Sequence, residues 1–109
     1  MTQCDIEVQL KSMRRATQVY CNKMIERADQ ISLMGRNDEI AEMAQKCFRM
    51  LDVVQDEVQD FLAKNGSDLW EKGERDRFLD FVAEIDEKFT ASLRRAIMFT
   101  YVRDQKIQE

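Results

Sequence analysis

Apolar residues recur along most of the chain at alternating steps of four and three, the spacing that places side chains on one face of an α-helix. Three such seams follow one another. The first consists of Ile6, Leu10, Met13, Thr17, Tyr20, Met24 and Ile31. The second consists of Ile40, Ala44, Cys47, Leu51, Val54, Val58 and Phe61. The third consists of Phe78, Val82, Ile85, Phe89, Ser92, Ala96 and Phe99. The pattern predicts three long helices that pack along their length at shallow crossing angles.

Glycines mark where the seams are interrupted. A glycine just past a helix adopts the left-handed conformation at little cost, so we expect Gly35 and Gly66 to end the first two helices. Asn37 or Asp38 is expected to cap the second helix, because short polar side chains accept hydrogen bonds from its first free amides. The helices are expected at about residues 4–34, 37–64 and 74–107, with a short helical turn at about 67–72.

The links between the helices are short enough to make sequential helices antiparallel neighbours. The chain of 109 residues is long enough for one domain with its own core. We therefore predict an all-α, up-down-up bundle of three helices, about 40 Å long from roughly 27 residues per helix at 1.5 Å each. Dimerisation is one way in which such a bundle is completed.

Composition agrees with a folded domain in water. Hydrophobic residues make up 44% and charged residues 35%, which is too apolar for a disordered chain. The sequence has no run of about 18 apolar residues, and its first ten residues lack the basic and then apolar order of a signal peptide. We expect a cytoplasmic protein without membrane association. The formal net charge of −4 is mildly unfavourable for nucleic-acid binding.

The three cysteines, Cys4, Cys21 and Cys47, are widely spaced and there is no histidine. An odd number of cysteines without a paired motif argues against a zinc cluster or a disulfide framework. We expect reduced thiols that pack as small apolar residues, and no cofactor.

Carboxylates between residues 38 and 60 form two short motifs. Asp38, Glu39 and Glu42 make the first, and Glu57 and Asp60 make the second. The arrangement resembles the acidic motifs of the all-α nucleoside triphosphate pyrophosphohydrolases, although the first position is Asp where that family has Glu. The resemblance covers residues 38–60 and implies a Mg²⁺-dependent enzyme acting on nucleotides.

The apolar seam runs unbroken between these two motifs. In a continuous helix the 18 residues that separate them span about 27 Å, whereas Mg²⁺ needs its oxygen ligands at about 2.1 Å. We therefore expect no single metal site in this segment. The pyrophosphohydrolase-like enzyme is kept as an alternative function.

Acidic residues also form two rows at i, i+4, i+8 spacing, one on the second helix and one on the third. The rows consist of Asp52, Asp56 and Asp60, and of Asp76, Asp80 and Glu84. In an up-down-up bundle both rows lie toward the same end, where they either bind a divalent cation or remain solvated next to Lys11, Arg14 and Arg15. We expect solvated rows without a metal. The segment 37–90 carries 15 acidic and 7 basic residues, so a basic partner is a further candidate for this surface.

Two common routes to catalysis are missing from the sequence. No histidine is present to act as a general base, and the isolated glycines form no phosphate-binding loop. We expect a protein that is not an enzyme. A nucleic-acid-binding role is a further alternative, based on two basic groups: Lys11, Arg14 and Arg15, and Arg94, Arg95, Arg103 and Lys106. These groups fall short of the basic stripe that such proteins usually carry.

Residues 94–104 have apolar side chains on every side of the predicted third helix, which is typical of a helix buried on more than one face. The first helix ends at the same pole, and Met43 is expected near it. We predict a protein–protein interaction module, namely an adaptor, chaperone, assembly protein, inhibitor or homodimer. The alternative is that the helix ends fold over one another or that a loop covers the patch. The candidate partner-binding residues are Leu33, Met34, Met98, Tyr101 and Val102.

Overall fold

The computed structural model describes the backbone of residues 2–108 and the side chains of residues 2–102. It contains α1 (Gln3–Ser32), α2 (Asn37–Lys64) and α3 (Arg75–Gln108), with a short π-helical turn, Trp70–Glu74, in front of α3. Residues 2–108 include no β-strand, and all three helices pack against one another. The predicted all-α three-helix bundle is therefore confirmed. None of the helices in this range is long and apolar enough to cross a membrane.

The first two helices begin in different ways. At the start of α1, the Thr2 hydroxyl accepts a hydrogen bond from the Asp5 amide and the Asp5 carboxylate accepts one from the Thr2 amide. This capping box satisfies two amides that the helix leaves free. The expectation that Asn37 or Asp38 caps α2 is wrong, because the N-cap residue is Arg36 and makes no side-chain cap hydrogen bond. The acidic Asp38 instead lies in the first turn, where the helix dipole favours negative charge.

Two glycines end the first two helices in the left-handed conformation, as the sequence predicts. Gly35 has a φ of 71°, and its amide donates to the Ser32 carbonyl at 3.2 Å. Gly66 has a φ of 63°, and the next amide, that of Ser67, donates to the Leu62 carbonyl at 2.9 Å. These hydrogen bonds satisfy carbonyls at the helix ends, so each turn reverses the chain without leaving those groups unpaired.

The core is a single apolar column between the three helices. On α2 it follows the predicted seam as far as Val58 and then passes through Leu62, whereas the predicted Phe61 is half-buried. On α1 the buried stripe shifts after Thr17 and passes through Cys21, Ile25 and Ala28, whereas Tyr20 lies at the edge with 37% of its surface exposed. Adjacent positions on a helix differ by about 100°, so a one-residue change in the seam exchanges a core position for a flank position. The largest fully buried side chains are Leu10, Ile40, Leu51, Val58, Leu62, Ile85 and Phe89.

The molecule measures 67 by 19 by 16 Å, so the predicted length of about 40 Å is wrong. The helices are longer than 27 residues and are offset along the bundle axis. The Arg14 guanidinium lies 3.5 Å from the Glu74 carboxylate, which places the start of α3 level with Arg14, just before the middle of α1. At the other pole, the Thr100 hydroxyl lies 3.4 Å from the Gly35 carbonyl, although α3 continues to residue 108.

Candidate functional site: an apolar helix end

The turn between α1 and α2 rests directly on α3. The Thr100 hydroxyl is 3.1 Å from the Ala96 carbonyl and 3.4 Å from the Gly35 carbonyl, and it can donate to either. A Cβ atom added to Gly35 would lie 2.5 Å from the Thr100 Oγ1. Only glycine permits this approach, because the position has a positive φ and has no room for a side chain. The turn therefore sits level with Thr100.

A polar cluster joins α1 to α3 just below this turn. The buried Ser92 donates a hydrogen bond to the Asp29 carboxylate, and the Arg95 guanidinium lies 3.4 Å from the same oxygen. The buried Ser32 donates to the Asp29 carbonyl at 2.6 Å, and its hydroxyl lies 3.5 Å from Arg95. Because these groups meet at only one offset of the two helices, the cluster fixes how far α3 reaches past the turn.

The last part of α3 extends beyond the bundle. Eight helical residues follow Thr100, which is about 12 Å of helix without α1 or α2 beside it. Large apolar side chains surround this helix end and the neighbouring turn, and each exposes between 42% and 60% of its surface. We name this set the apolar pole. It consists of Leu33, Met34, Ile97, Met98, Phe99, Tyr101 and Val102.

The size of the apolar pole sets it apart from scattered exposed residues. With about half of each side chain exposed, and roughly 150–250 Å² for a large apolar side chain, the pole offers on the order of 700 Å². The largest apolar patch on a typical monomer is about 300–600 Å². The other exposed large apolar residues are spread over all three helices: Val8, Val19 and Tyr20 on α1, Val53 on α2 and Leu79 on α3. The pole is therefore the surface whose burial would remove most apolar area from water.

All five candidate partner-binding residues are exposed at this pole, and their role in binding stays a prediction. The sequence placed Phe99 in the core seam, but 42% of its surface is exposed because the α1–α2 turn ends beside it. Ile97 also joins the pole, and its outward position could have been found on the helical wheel. Met43, expected near the patch, is buried in the core.

The six residues of the acidic rows are all exposed: Asp52, Asp56, Asp60, Asp76, Asp80 and Glu84. Among residues 2–102, no three carboxylate or thiol groups come close enough to hold a metal ion. Since α2 is continuous, its two acidic motifs remain about 27 Å apart. Of the bases expected to neutralise the rows, Arg14 pairs with Glu74 instead, and the partner of Glu84 is Lys88, at 3.0 Å.

Glu74 is the one buried carboxylate in the part of the chain with described side chains. It lies beside Arg14, and its Oε1 has no hydrogen-bond partner. A cavity of about 140 Å³ opens nearby between α1 and α3, and Arg14, Thr17, Gln18, Arg77, Phe78 and Phe81 line it. The cavity has room for a group about the size of a benzene ring.

The thiols divide into one exposed and two buried groups. Cys4 is exposed, whereas Cys21 on α1 and Cys47 on α2 are fully buried in the core. A hydrogen bond with the Cys21 thiol and burial both raise the pKa of Cys47, which keeps that thiol protonated. The predicted use of these two thiols as small apolar residues agrees with their burial.

Only part of the basic group near the end of α3 has described side chains. Arg94 and Arg95 are exposed on α3, and Arg95 is engaged by Asp29. The side chains of Arg103 and Lys106 lie outside the described residues. The nucleic-acid-binding role therefore stays an alternative prediction.

Fold and surface together define a three-helix bundle with a projecting apolar helix end. No protein-family model, curated protein or solved structure matches the chain. Function is therefore inferred from the geometry of the molecule itself.

Proposed function

We propose that this protein is a non-catalytic protein–protein interaction module that binds its partner through the apolar pole. The observation that carries the proposal is the concentration of seven exposed large apolar side chains at one end of the bundle. Burying such a surface stabilises a complex at about 25 cal/mol for each Å² of apolar area, before the costs of association. An adaptor, chaperone, assembly protein or inhibitor works through a surface of this kind.

The shape of the pole also supports binding. Tyr101 and Met98 are 60% and 59% exposed on a helix that projects past its neighbours, so a partner can approach the helix from several sides. Tyrosine and methionine are enriched in protein interfaces, tyrosine for its large rigid contact area and methionine for its adaptable side chain. The backbone at this end is held in place by Thr100 and by the Asp29 cluster, so part of the contact surface is ordered before a partner arrives.

The test compares two double variants of the chain as baits in lysate from its source organism. Met98→Glu with Tyr101→Glu places two charges in the apolar pole, while Val8→Glu with Val19→Glu places two charges at exposed positions on α1 outside the pole. Bound proteins are measured by quantitative mass spectrometry after chemical crosslinking, and light scattering reports self-association. Circular dichroism should show both variants folded, because all four side chains are largely exposed.

We expect the wild type and the α1 variant to capture the same partner, and the pole variant to lose at least nine-tenths of it. A partner that the pole variant retains in full would contradict the proposed site. A wild-type chain that stays monomeric and captures nothing would contradict the proposed function.

A further inference from the structure

We propose that the partner of the apolar pole is a second copy of this chain, related by a two-fold axis that passes near Thr100. This inference rests on the proposed function and names its partner. In the dimer the two α3 ends lie antiparallel, each beside the α1–α2 turn of the other copy. The two bundles then extend in opposite directions from a shared centre.

The geometry of the projecting helix supports this arrangement. About 12 Å of α3 extends past the turn at Gly35, on a molecule only 19 by 16 Å across. When two such ends overlap in opposite directions about Thr100, residues 101–108 of each copy lie alongside the other copy's bundle, at the level of its residues 92–99. Phe99, which continues the core seam but is 42% exposed at the bundle end, then gains further apolar contacts. A projecting end of this length fits a copy of itself.

The area agrees with a stable dimer. The apolar pole offers on the order of 700 Å², and a typical specific interface buries about 800 Å² on each partner. A two-fold interface uses the same patch on both copies, so the patch must complement itself. An all-round apolar helix end with a neighbouring apolar turn meets this requirement, because Met98 and Tyr101 of one copy can lie against Leu33 and Met34 of the other.

Charge also favours a second copy. The start of α2 has three exposed acids, Asp38, Glu39 and Glu42, at the level of residues 92–97 of the same copy's α3. With the axis near Thr100, a rise of about 1.5 Å per residue places residues 103–108 of the other copy at that level. By sequence this segment contains two bases and one acid, Arg103, Lys106 and Asp104, so its net charge is +1. The chain therefore carries an acidic surface and a segment of net positive charge that the proposed axis brings to the same level, which favours association with itself.

The first measurement is the mass of the chain by light scattering and analytical ultracentrifugation from about 1 to 200 μM. The wild type should approach twice the 12.9 kDa chain mass as the concentration rises. Met98→Glu with Tyr101→Glu should remain monomeric, with at least a hundredfold weaker dimerisation, whereas the Val8→Glu with Val19→Glu control should dimerise like the wild type. Asp38→Lys with Glu42→Lys should weaken dimerisation about tenfold, and the same change should be smaller in high salt.

A second measurement tests the position of the axis. In a Cys4→Ser background, Tyr101→Cys should form a disulfide between two copies when diamide is added, because the oxidant accepts the two electrons of two thiols that lie near the axis. Val53→Cys, exposed in the middle of α2, serves as the control and should remain mostly unlinked. Crosslinking of Val53→Cys at an equal rate would overturn the proposed axis.

The outcomes separate this inference from the proposed function. A wild type that is monomeric at all concentrations, yet captures a partner that the pole variant loses, overturns the second copy and leaves the interaction module standing. A dimer that the pole variant forms as strongly as the wild type overturns the dimer through this pole. A monomer that also captures nothing overturns both.

Discussion

Replacing Gly35 with alanine tests how closely the end of α3 contacts the α1–α2 turn. Two costs act together at this position. A non-glycine residue with a φ of 71° costs about 1 kcal/mol. The new Cβ would also lie 2.5 Å from the Thr100 Oγ1 and 3.5 Å from the Phe99 ring, and overpacking of this kind typically costs about 1–3 kcal/mol. We therefore expect Gly35→Ala to lower the free energy of unfolding by about 2–4 kcal/mol.

Gly66 provides the matched control, because it differs in only one of these two costs. Its φ of 63° is nearly the same, but apart from its two chain neighbours no residue comes within 4 Å of a Cβ added there. Gly66→Ala should therefore cost about 1 kcal/mol, which corresponds to a melting temperature about 4–8 °C lower in a domain of about 100 residues. The difference between the two variants isolates the contact between the turn and α3.

The assay is urea unfolding followed by circular dichroism, with melting temperatures measured in parallel. Thr100→Ala removes the nearest clashing atom, so in that background Gly35→Ala should cost only about 1–2 kcal/mol. Equal costs for Gly35→Ala and Gly66→Ala in the wild-type background would refute the described contact. The geometry of the apolar pole would then need revision, since the projection of α3 is measured from this contact.

Two further predictions concern the thiols and divalent cations. Iodoacetamide should label only Cys4 in the folded chain, because Cys21 and Cys47 are fully buried. Mass spectrometry should find three adducts only after unfolding. Rapid labelling of all three cysteines without denaturant would mean that the α1–α2 interface is open. Millimolar Mg²⁺, Mn²⁺ or Ca²⁺ should leave the melting temperature unchanged, because the acidic rows lie exposed on two different helices. A rise of several degrees would instead indicate that a carboxylate site of the folded chain binds the cation.

The fold could be predicted from the sequence because the apolar pattern, the composition and the positions of the glycines all indicate the same three helices. The seam period fixes helices, the absence of proline permits long ones, and Gly35 and Gly66 fix where the first two end. The residues that cap the helix starts were harder to predict from the sequence. The pair Thr2 and Asp5 has the spacing of a capping box, but Arg36 carries no recognisable cap signal.

The candidate site could be predicted only in part, because exposure at a bundle end depends on how the helices are offset. A seam determines which face of a helix is apolar, but it does not indicate how far the neighbouring helix extends. Phe99 therefore looked like a core residue, although the α1–α2 turn ends beside it. The apolar character of Met98, Tyr101 and Val102 was visible on the helical wheel, because those side chains point away from the seam whatever the offset.

The offset itself is set by polar groups in an otherwise apolar interface. Apolar seams repeat every seven residues, so they would tolerate a shift of α3 by one repeat, about 10 Å. Such a shift would place Ile85 or Phe99, instead of Ser92, beside the Asp29 carboxylate. Asp29 would lose a hydrogen bond, at a cost of about 1 kcal/mol for a half-exposed group, and the buried serine would lose its partner. This cluster therefore holds Thr100 beside the α1–α2 turn, and the projection of the apolar helix end follows from it.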